Sequence, residues 1–523
     1  MSGEPVGRVL IASNRGPVSF SLGDDGRLTT RRGGGGMVSG LSALAGRAEV
    51  LWVCAALNDA DRAAARAAPD GQLDVSLTAD GAPPGGPASV VRMLDIPAPV
   101  FDRAYNGVAN STLWFIHHLL YDTPNRPLFG LAFRREWESF RAYNAAFADA
   151  LAEGAGPRRA GARAMVQDYH LTLVPRMLAQ RRPGLPIAHF SHTPWAPVDY
   201  FALLPDDVAR EVLEGILGAD HAGFHAQRWA SAFLDCCEAV LGAQVDRAAR
   251  TVRHAGHTTT VGTHALGVDA PQLRARAAAD DVQAHVSALT QVAGDRKLIV
   301  RIDRTELSKN IVRGLAAYRE LLITRPQWRG RVTHLAFAYP SRHDLPEYRE
   351  YTASVQRMAR EIVDEFGTED WHPLVLQVND DYARSLAAFR LADVLLVNPV
   401  RDGMNLVAKE APLLSERDCA VVLSREAGAA ADLADGALLV NPYDVTATAQ
   451  ALHQALCMND TERQRRGALL TKASASCAPA EWFAAQLSAL ETAVQAEHQP
   501  ARPAGRRLLP GRRRPGRLRR TAQ

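Results

Sequence analysis

A chain of 523 residues, 47% apolar and 22% charged, is too long for one hydrophobic core and has an ordinary globular composition, so two or three domains are expected. No apolar run nears the roughly 20 residues of a membrane-spanning helix, and Met1-Ser2-Gly3-Glu4-Pro5 lacks the charged and apolar regions of a secretory leader, so the expected location is the cytoplasm. The formal charge of +3 includes nine arginines and no acid in residues 501–523; the rest carries −6, which excludes a general call for nucleic acid.

Apolar, β-branched runs recur between amphipathic helical stretches. They are Val9–Ala12, Leu51–Val53, Ala164–Val166, Leu298–Val300, His334–Phe337, Leu374–Leu376, Val394–Val397, Ala420–Leu423 and Leu438–Val440. Strand signals alternating with helical ones predict an α/β fold with parallel sheets covered on both faces. Residues 264–269 read as a crossing between domains, which places a boundary near residue 268: an N-terminal half, 1–268, and a C-terminal half, 269–477. Residues 499–523 are rich in Pro, Gly and Arg with little to bury, and are expected to be disordered. None of the six cysteines forms a CxxC pair, so buried thiols are expected rather than disulfides or zinc ligands.

Residues that suit chemistry cluster where these strands end. Arg15, in Ser13-Asn14-Arg15-Gly16-Pro17, closes the first strand, where a guanidinium can grip a phosphate bidentately. The run Gly33-Gly34-Gly35-Gly36 precedes a helical pattern and lets backbone amides approach an anion; no Gly-Lys-Ser/Thr follows, so it is not a P-loop. Tyr105 to Trp114 interleaves aromatics with amides, suited to a sugar face or to a core. Asp168 and His170 end one strand and His192 another, so they converge on one cleft.

In the second half, Arg304 and Lys309 lie five apart across a strand-to-helix turn, placed to neutralise a leaving diphosphate. Arg342 follows another strand. Asp402-Gly403-Met404-Asn405-Leu406-Val407 leads from a very apolar strand into a helix whose first amides suit a diphosphate, with Glu410 about two turns further on to reach a ribose. There is no GxSxG, HExxH or zinc spacing, and no carboxylate-rich magnesium signature. The abundance of anion-binding turns favours a phosphorylated or nucleotide substrate over glycoside hydrolysis.

Taken in order, SNRGPV, GGGGMVSGL, YNGVANSTLW, VQDYHL, HFSHTPW, DRTELSKN and DGMNLVAKE resemble the motif set of trehalose-6-phosphate synthases, the retaining glycosyltransferases of family 20, over about residues 7–490. The resemblance implies a GT-B fold: two Rossmann-like doubly wound domains, an active-site cleft between them, and a last helix, 478–498, crossing back to the first domain. It implies that Arg15, Tyr105, Trp114 and Arg342 hold glucose 6-phosphate, with Asp168 beside the reacting hydroxyl. His192 and Asp402 would contact the donor glucose. Gly35, Gly36, Arg304, Lys309 and the amides of Asn405, Leu406 and Val407 would hold the donor diphosphate, and Glu410 the ribose.

The implied reaction moves glucose from GDP- or UDP-glucose to glucose 6-phosphate with retention, giving α,α-trehalose 6-phosphate. Asp168, His192, Arg304 and Lys309 would carry it without a cofactor or metal, and Lys309→Ala would then lose turnover far more than fold. Many relatives read ERLDYSKG where this chain has DRTELSKN; the variant resembles actinobacterial members, some of which favour GDP-glucose. Kept beside this reading are a pseudoglycosyltransferase joining a nucleotide-activated cyclitol to an aminocyclitol phosphate, a glucosylglycerol-phosphate synthase, and a non-catalytic sugar-phosphate sensor. No membrane or specific nucleic-acid partner is expected, and a homo-oligomer is left open.

Overall fold

The computed structural model describes residues 7–23, 27–32, 49–74, 89–157, 161–342 and 344–498. The glycine run with Gly35 and Gly36, and the basic tail from residue 499, lie outside them. All nine apolar runs form strands.

Ten strands make the first sheet. From one edge to the other they are Gln244–Asp246, Thr251–His254, His257–Thr263, His221–Phe224, Ile187–Ser191, Arg163–Gln167, Val9–Ala12, Val50–Ala55, Ser89–Leu94 and Gln72–Asp74. The seven central strands run parallel, and antiparallel strands close both edges. Both faces are covered, as the continuous apolar runs require. Leu10 and Ala12 point into one core, while Val9 and Ile11 point into the other.

The second sheet orders Leu374–Gln377, Val332–Tyr339, Lys297–Arg304, Val394–Val397, Ala420–Ser424 and Leu438–Val440, all parallel. Counted within the sheet this is 3-2-1-4-5-6, the doubly wound Rossmann order, whose ligand crevice opens where the order reverses. Here that point lies between the strands ending at Arg304 and at Val397. In the first sheet the corresponding reversal lies between Val9–Ala12 and Arg163–Gln167.

Two crossings join the halves. Leu266 and Gly267 run beside Cys477, and the Gly267 amide donates to the Cys477 carbonyl at 2.9 Å. A Cβ on Gly267 would fall 2.1 Å from the Ser476 carbonyl oxygen, so the close approach needs glycine. The last helix, Pro479–His498, then returns to the first sheet. Its Trp482, Phe483, Leu487 and Leu490 pack with Val9, Ile11, Trp52 and Phe190.

Sequence reading alone did not anticipate the antiparallel edge strands between 244 and 263. It also set Glu410 too far along its helix. That helix is Val407–Leu414, so Glu410 sits in its first turn, and Asp402 to Leu406 form the approach. Four cysteines are buried as expected, but Cys457 is exposed and Cys477 half-buried.

Candidate functional site: an interdomain cleft

The two reversal points face each other across a cleft. A cavity of about 570 Å³ there is lined by Arg15, Tyr105, Trp114, Asp168 and His192 from the first domain and by Arg304 and Arg342 from the second. With His170, eight residues proposed from sequence thus meet in one place. Gln167, Tyr169, His170, Tyr339, Ser341 and Asp380 complete much of the wall.

Trp114 follows a π-helical segment, Arg103–Leu113, that carries Tyr105. The Arg342 guanidinium lies over the Trp114 ring, 4.2 Å from its centroid, and donates to the hydroxyls of Tyr348 (2.6 Å) and Tyr169 (3.2 Å). An arginine of the second domain is therefore seated on two aromatics of the first, Trp114 and Tyr169, with its planar face used for stacking on Trp114. Tyr105 stacks on His170 at 5.7 Å.

Asp168 closes its strand with φ 74°, a left-handed conformation that strains an L-residue. Its carboxylate accepts from the His192 amide at 3.1 Å. Burial pushes its pKa up to about 6, against the pull of the Tyr169 and His192 amides. The His192 ring is hydrogen-bonded to Gln167 Oε1 (3.0 Å) and His225 Nε2 (3.2 Å), and burial holds its pKa near 3, so it is neutral at pH 7.

The cations of the second domain are arranged around buried acids. Lys309 Nζ lies 2.5 Å from Asp402 Oδ2, joining the turns after the first and fourth strands of that sheet. Burial opposes charge on both, and their attraction overcomes it: the Lys309 pKa is raised and that of Asp402 lowered. Asn405 Nδ2 also donates to Asp402 Oδ2 at 3.1 Å, and Asn405 Oδ1 caps the Ala408 amide at 3.2 Å. The amides of Asn405, Leu406 and Val407 stand at the start of this helix, where no preceding turn supplies acceptors.

Glu410 makes no ion pair among the described residues; burial pushes its pKa up to about 7. Beneath the loop, the fully buried Arg301 pairs with Asp303 (3.0 Å), donates to Asn398 Oδ1 (2.5 Å) and also holds the Lys309 carbonyl. Asp168, Arg342 and Asn405, all proposed from sequence, have positive φ, as does Asn310 after Lys309.

Lys309, Asp402, Asn405, Leu406, Val407 and Glu410 do not line this cavity; they lie beside it, tied in through the Lys309–Asp402 pair. Sequence reasoning missed Glu306, Arg301, Tyr169 and His118. Glu306 is wholly buried, 3.0 Å from Arg304. The buried His118 ring stacks on Trp114 at 3.8 Å, within the fields of Asp402 and Lys309. A glutamate inside DRTELSKN reads as solvated loop; only the fold puts it beneath two arginines.

The domains touch tightly behind the cleft. The Trp229 indole donates to the Gly403 carbonyl at 3.0 Å, and Arg401 to the Trp195 carbonyl at 3.1 Å. Lys409, predicted within the donor motif but not as a ligand, is buried; it donates to the Leu266 carbonyl of the crossing (2.9 Å) and to Asp432 (2.6 Å).

Two Rossmann-like domains with cationic strand ends facing across a cleft make up the GT-B architecture. Sequence comparison narrows the class: the profile for glycosyltransferase family 20 matches residues 7–492, and the chain belongs to that family. It is 34% identical over 365 residues to a bifunctional trehalose-6-phosphate synthase/phosphatase of Thermoproteus tenax, covering 69% of this chain and spanning about half, 48%, of that relative. An alpha,alpha-trehalose-phosphate synthase [UDP-forming] of Schizosaccharomyces pombe is 30% identical over 476 residues, with 87% and 85% covered.

A validamine 7-phosphate valienyltransferase of Streptomyces hygroscopicus is 30% identical over 486 residues, with 92% and 94% covered. An Escherichia coli structure described as bound with UDP-2-fluoro glucose superposes with TM-score 0.79 at 26% identity, covering 92% of this chain and 99% of that one. An alpha,alpha-trehalose-phosphate synthase (UDP-forming) of Burkholderia xenovorans in complex with glucose 6-phosphate gives 0.75 at 27%, with 93% and 100% covered.

Proposed function

We propose that this family 20 enzyme transfers glucose from a nucleoside-diphosphate glucose to glucose 6-phosphate with retention, forming α,α-trehalose 6-phosphate. The observation that carries this reading is one cleft lined by Arg15, Arg342, Arg304 and Asp168, with the Lys309–Asp402 pair beside it. Two anionic groups, a phosphate and a diphosphate, thereby find separate cationic seats around a single carboxylate.

In this reading the donor C1–O bond to the diphosphate breaks as the acceptor C1 hydroxyl adds on the same face. Its proton passes to the departing phosphate oxygen. Arg304, Lys309 and the amides of Asn405 to Val407 stabilise the charge that grows on the diphosphate, a contribution of about 3 kcal/mol for each well-placed donor. Asp168 orients the acceptor, His192 and Asp402 contact the donor sugar, and Glu410 takes the ribose. We read the chemistry as independent of a metal ion, so turnover should persist undiminished in a chelator.

The test is incubation with glucose 6-phosphate and, separately, GDP-, UDP- and ADP-glucose, following nucleotide release and identifying the sugar product by mass spectrometry and anomeric NMR. The likeness to a UDP-forming relative supports UDP-glucose as the donor of this chain. The relative that is a valienyltransferase supports a second reading, transfer of a nucleotide-activated cyclitol to an aminocyclitol phosphate. Turnover of that pair alone, with none of the glucose pair, would replace the first reading.

A further inference from the structure

Glu306 sits at the junction of the two proposed substrate seats. It is 0% exposed. Its Oε1 lies 3.0 Å from Arg304 Nη1 and 4.0 Å from Arg342 Nη1 and accepts from the Ser341 hydroxyl at 2.9 Å. Its Oε2 is buried without a hydrogen-bond partner.

A buried carboxylate with one unsatisfied oxygen is costly, and an uncharged side chain of the same shape would be easier to bury. What holds it ionised is the surrounding charge. Burial would raise its pKa, yet Arg304, Arg342 and Lys309 depress it to about 2. The arrangement is topological in origin. Arg304 ends one strand and Arg342 follows its neighbour, with Arg304 in register with Tyr339. Two guanidiniums at adjacent strand ends repel one another unless an anion lies between them.

Arg342 has further anchors in Tyr348, Tyr169 and Trp114. Arg304, with its side chain 52% exposed, has Glu306 as its only ion-pair partner among the described residues.

We propose that Glu306 is a positioning residue for transfer: it fixes Arg304 relative to Arg342, so that the donor diphosphate and the acceptor phosphate are gripped in register. The inference rests on the proposed glucosyl transfer. It carries a signature that a merely structural carboxylate lacks. Replacing Glu306 by glutamine leaves the cleft one charge more positive, which favours two anionic substrates, while Arg304 loses its fixed orientation. Glu306→Gln should therefore lower kcat about 10–100-fold with KM for both substrates unchanged or reduced. Glu306→Asp, which keeps the charge on a stem one methylene shorter, should recover part of the loss.

The decisive experiment measures kcat and both KM values for wild type, Glu306→Gln, Glu306→Asp, Arg304→Ala and the Glu306→Gln/Arg304→Ala pair, with thermal unfolding of each. In the Arg304→Ala background the glutamine substitution should cost less than about threefold. A kcat within about twofold of wild type, or the same loss with and without Arg304, would overturn the inference. So would a fall in kcat accompanied by raised KM values and a matching loss of thermal stability. If Glu306→Gln does not fold, Glu306→Asp with and without Arg304→Ala decides by the same comparison. A folded wild type that turns over no glucose 6-phosphate with any donor would refute the underlying reaction instead, and this inference with it.

Discussion

Arg304→Ala and Lys309→Ala separate catalysis from folding, because the fold treats two similar cations differently. The Arg304 side chain is 52% exposed and meets one carboxylate. Its loss leaves the buried Glu306 still facing Arg342 and the Ser341 hydroxyl, so the melting temperature should fall, but by less than in Lys309→Ala. If it neutralises the departing diphosphate, turnover should still fall about 10²–10³-fold.

Lys309 is mostly buried against Asp402, 2.5 Å away, with the two side chains 14% and 17% exposed. Removing its ammonium strands a buried carboxylate whose remaining side-chain donor is Asn405, at a cost of about 3–5 kcal/mol. The sequence alone led us to expect Lys309→Ala to lose turnover far more than fold; with this pair in place, stability should fall as well as turnover. Lys309→Ala combined with Asp402→Asn should recover most of the stability and none of the turnover, because the unpaired charge is gone while the electrostatic support is not restored. Nucleotide release and calorimetric unfolding on the four proteins check this. Unaltered melting of Lys309→Ala would refute the buried pair, and near-normal turnover of Arg304→Ala would remove it from the donor seat.

Three further outcomes are expected. His117, His118, His192, His221 and His334 are held by burial near pKa 3, below the unfolded value near 6.5, so their contribution is complete above about pH 6.5 and is lost as pH falls. Each loses at most about 2 kcal/mol by pH 5. Asp168 and Glu410, with raised pKa values, act in the opposite direction but are fewer. The urea midpoint should drop between pH 6.5 and 5, and a flat profile there would contradict the buried neutral histidines.

Asp168, with a pKa near 6 in the free enzyme, should give kcat/KM an acid limb at about that pH. Asp168→Asn should lose most turnover together with that limb; an unchanged limb would assign it to another group. In Gly403→Ala the new Cβ would lie 1.8 Å from the His192 carbonyl oxygen of the opposite domain. The domains must part, so turnover should fall at least about tenfold while far-ultraviolet circular dichroism stays unchanged. Full activity in that variant would show that the closed contact is dispensable.

The fold class was legible because continuous apolar runs at regular intervals leave little choice. A strand buried on both faces needs helices on both sides, and short-range composition records that directly. Strand-end residues such as Arg15, Asp168, Arg304 and Arg342 were legible for the same reason: strand ends of doubly wound sheets converge on a crevice. The antiparallel edge between 244 and 263 was not, because edge strands are short and half-polar and resemble loop.

What the sequence by itself determined is the fold class and the strand ends, Arg15, Asp168, Arg304 and Arg342 among them, that line the cleft. What only the tertiary structure decided is how their charges are apportioned. Lys309 and Asp402 are 93 residues apart yet share one buried contact, Glu306 lies beneath two arginines, and Lys409 turns away to hold the domain crossing. Burial and distance set those interactions, and neither is a property of neighbouring positions along a chain. They exist only once two sheets, each at its own point of reversal, have been brought face to face.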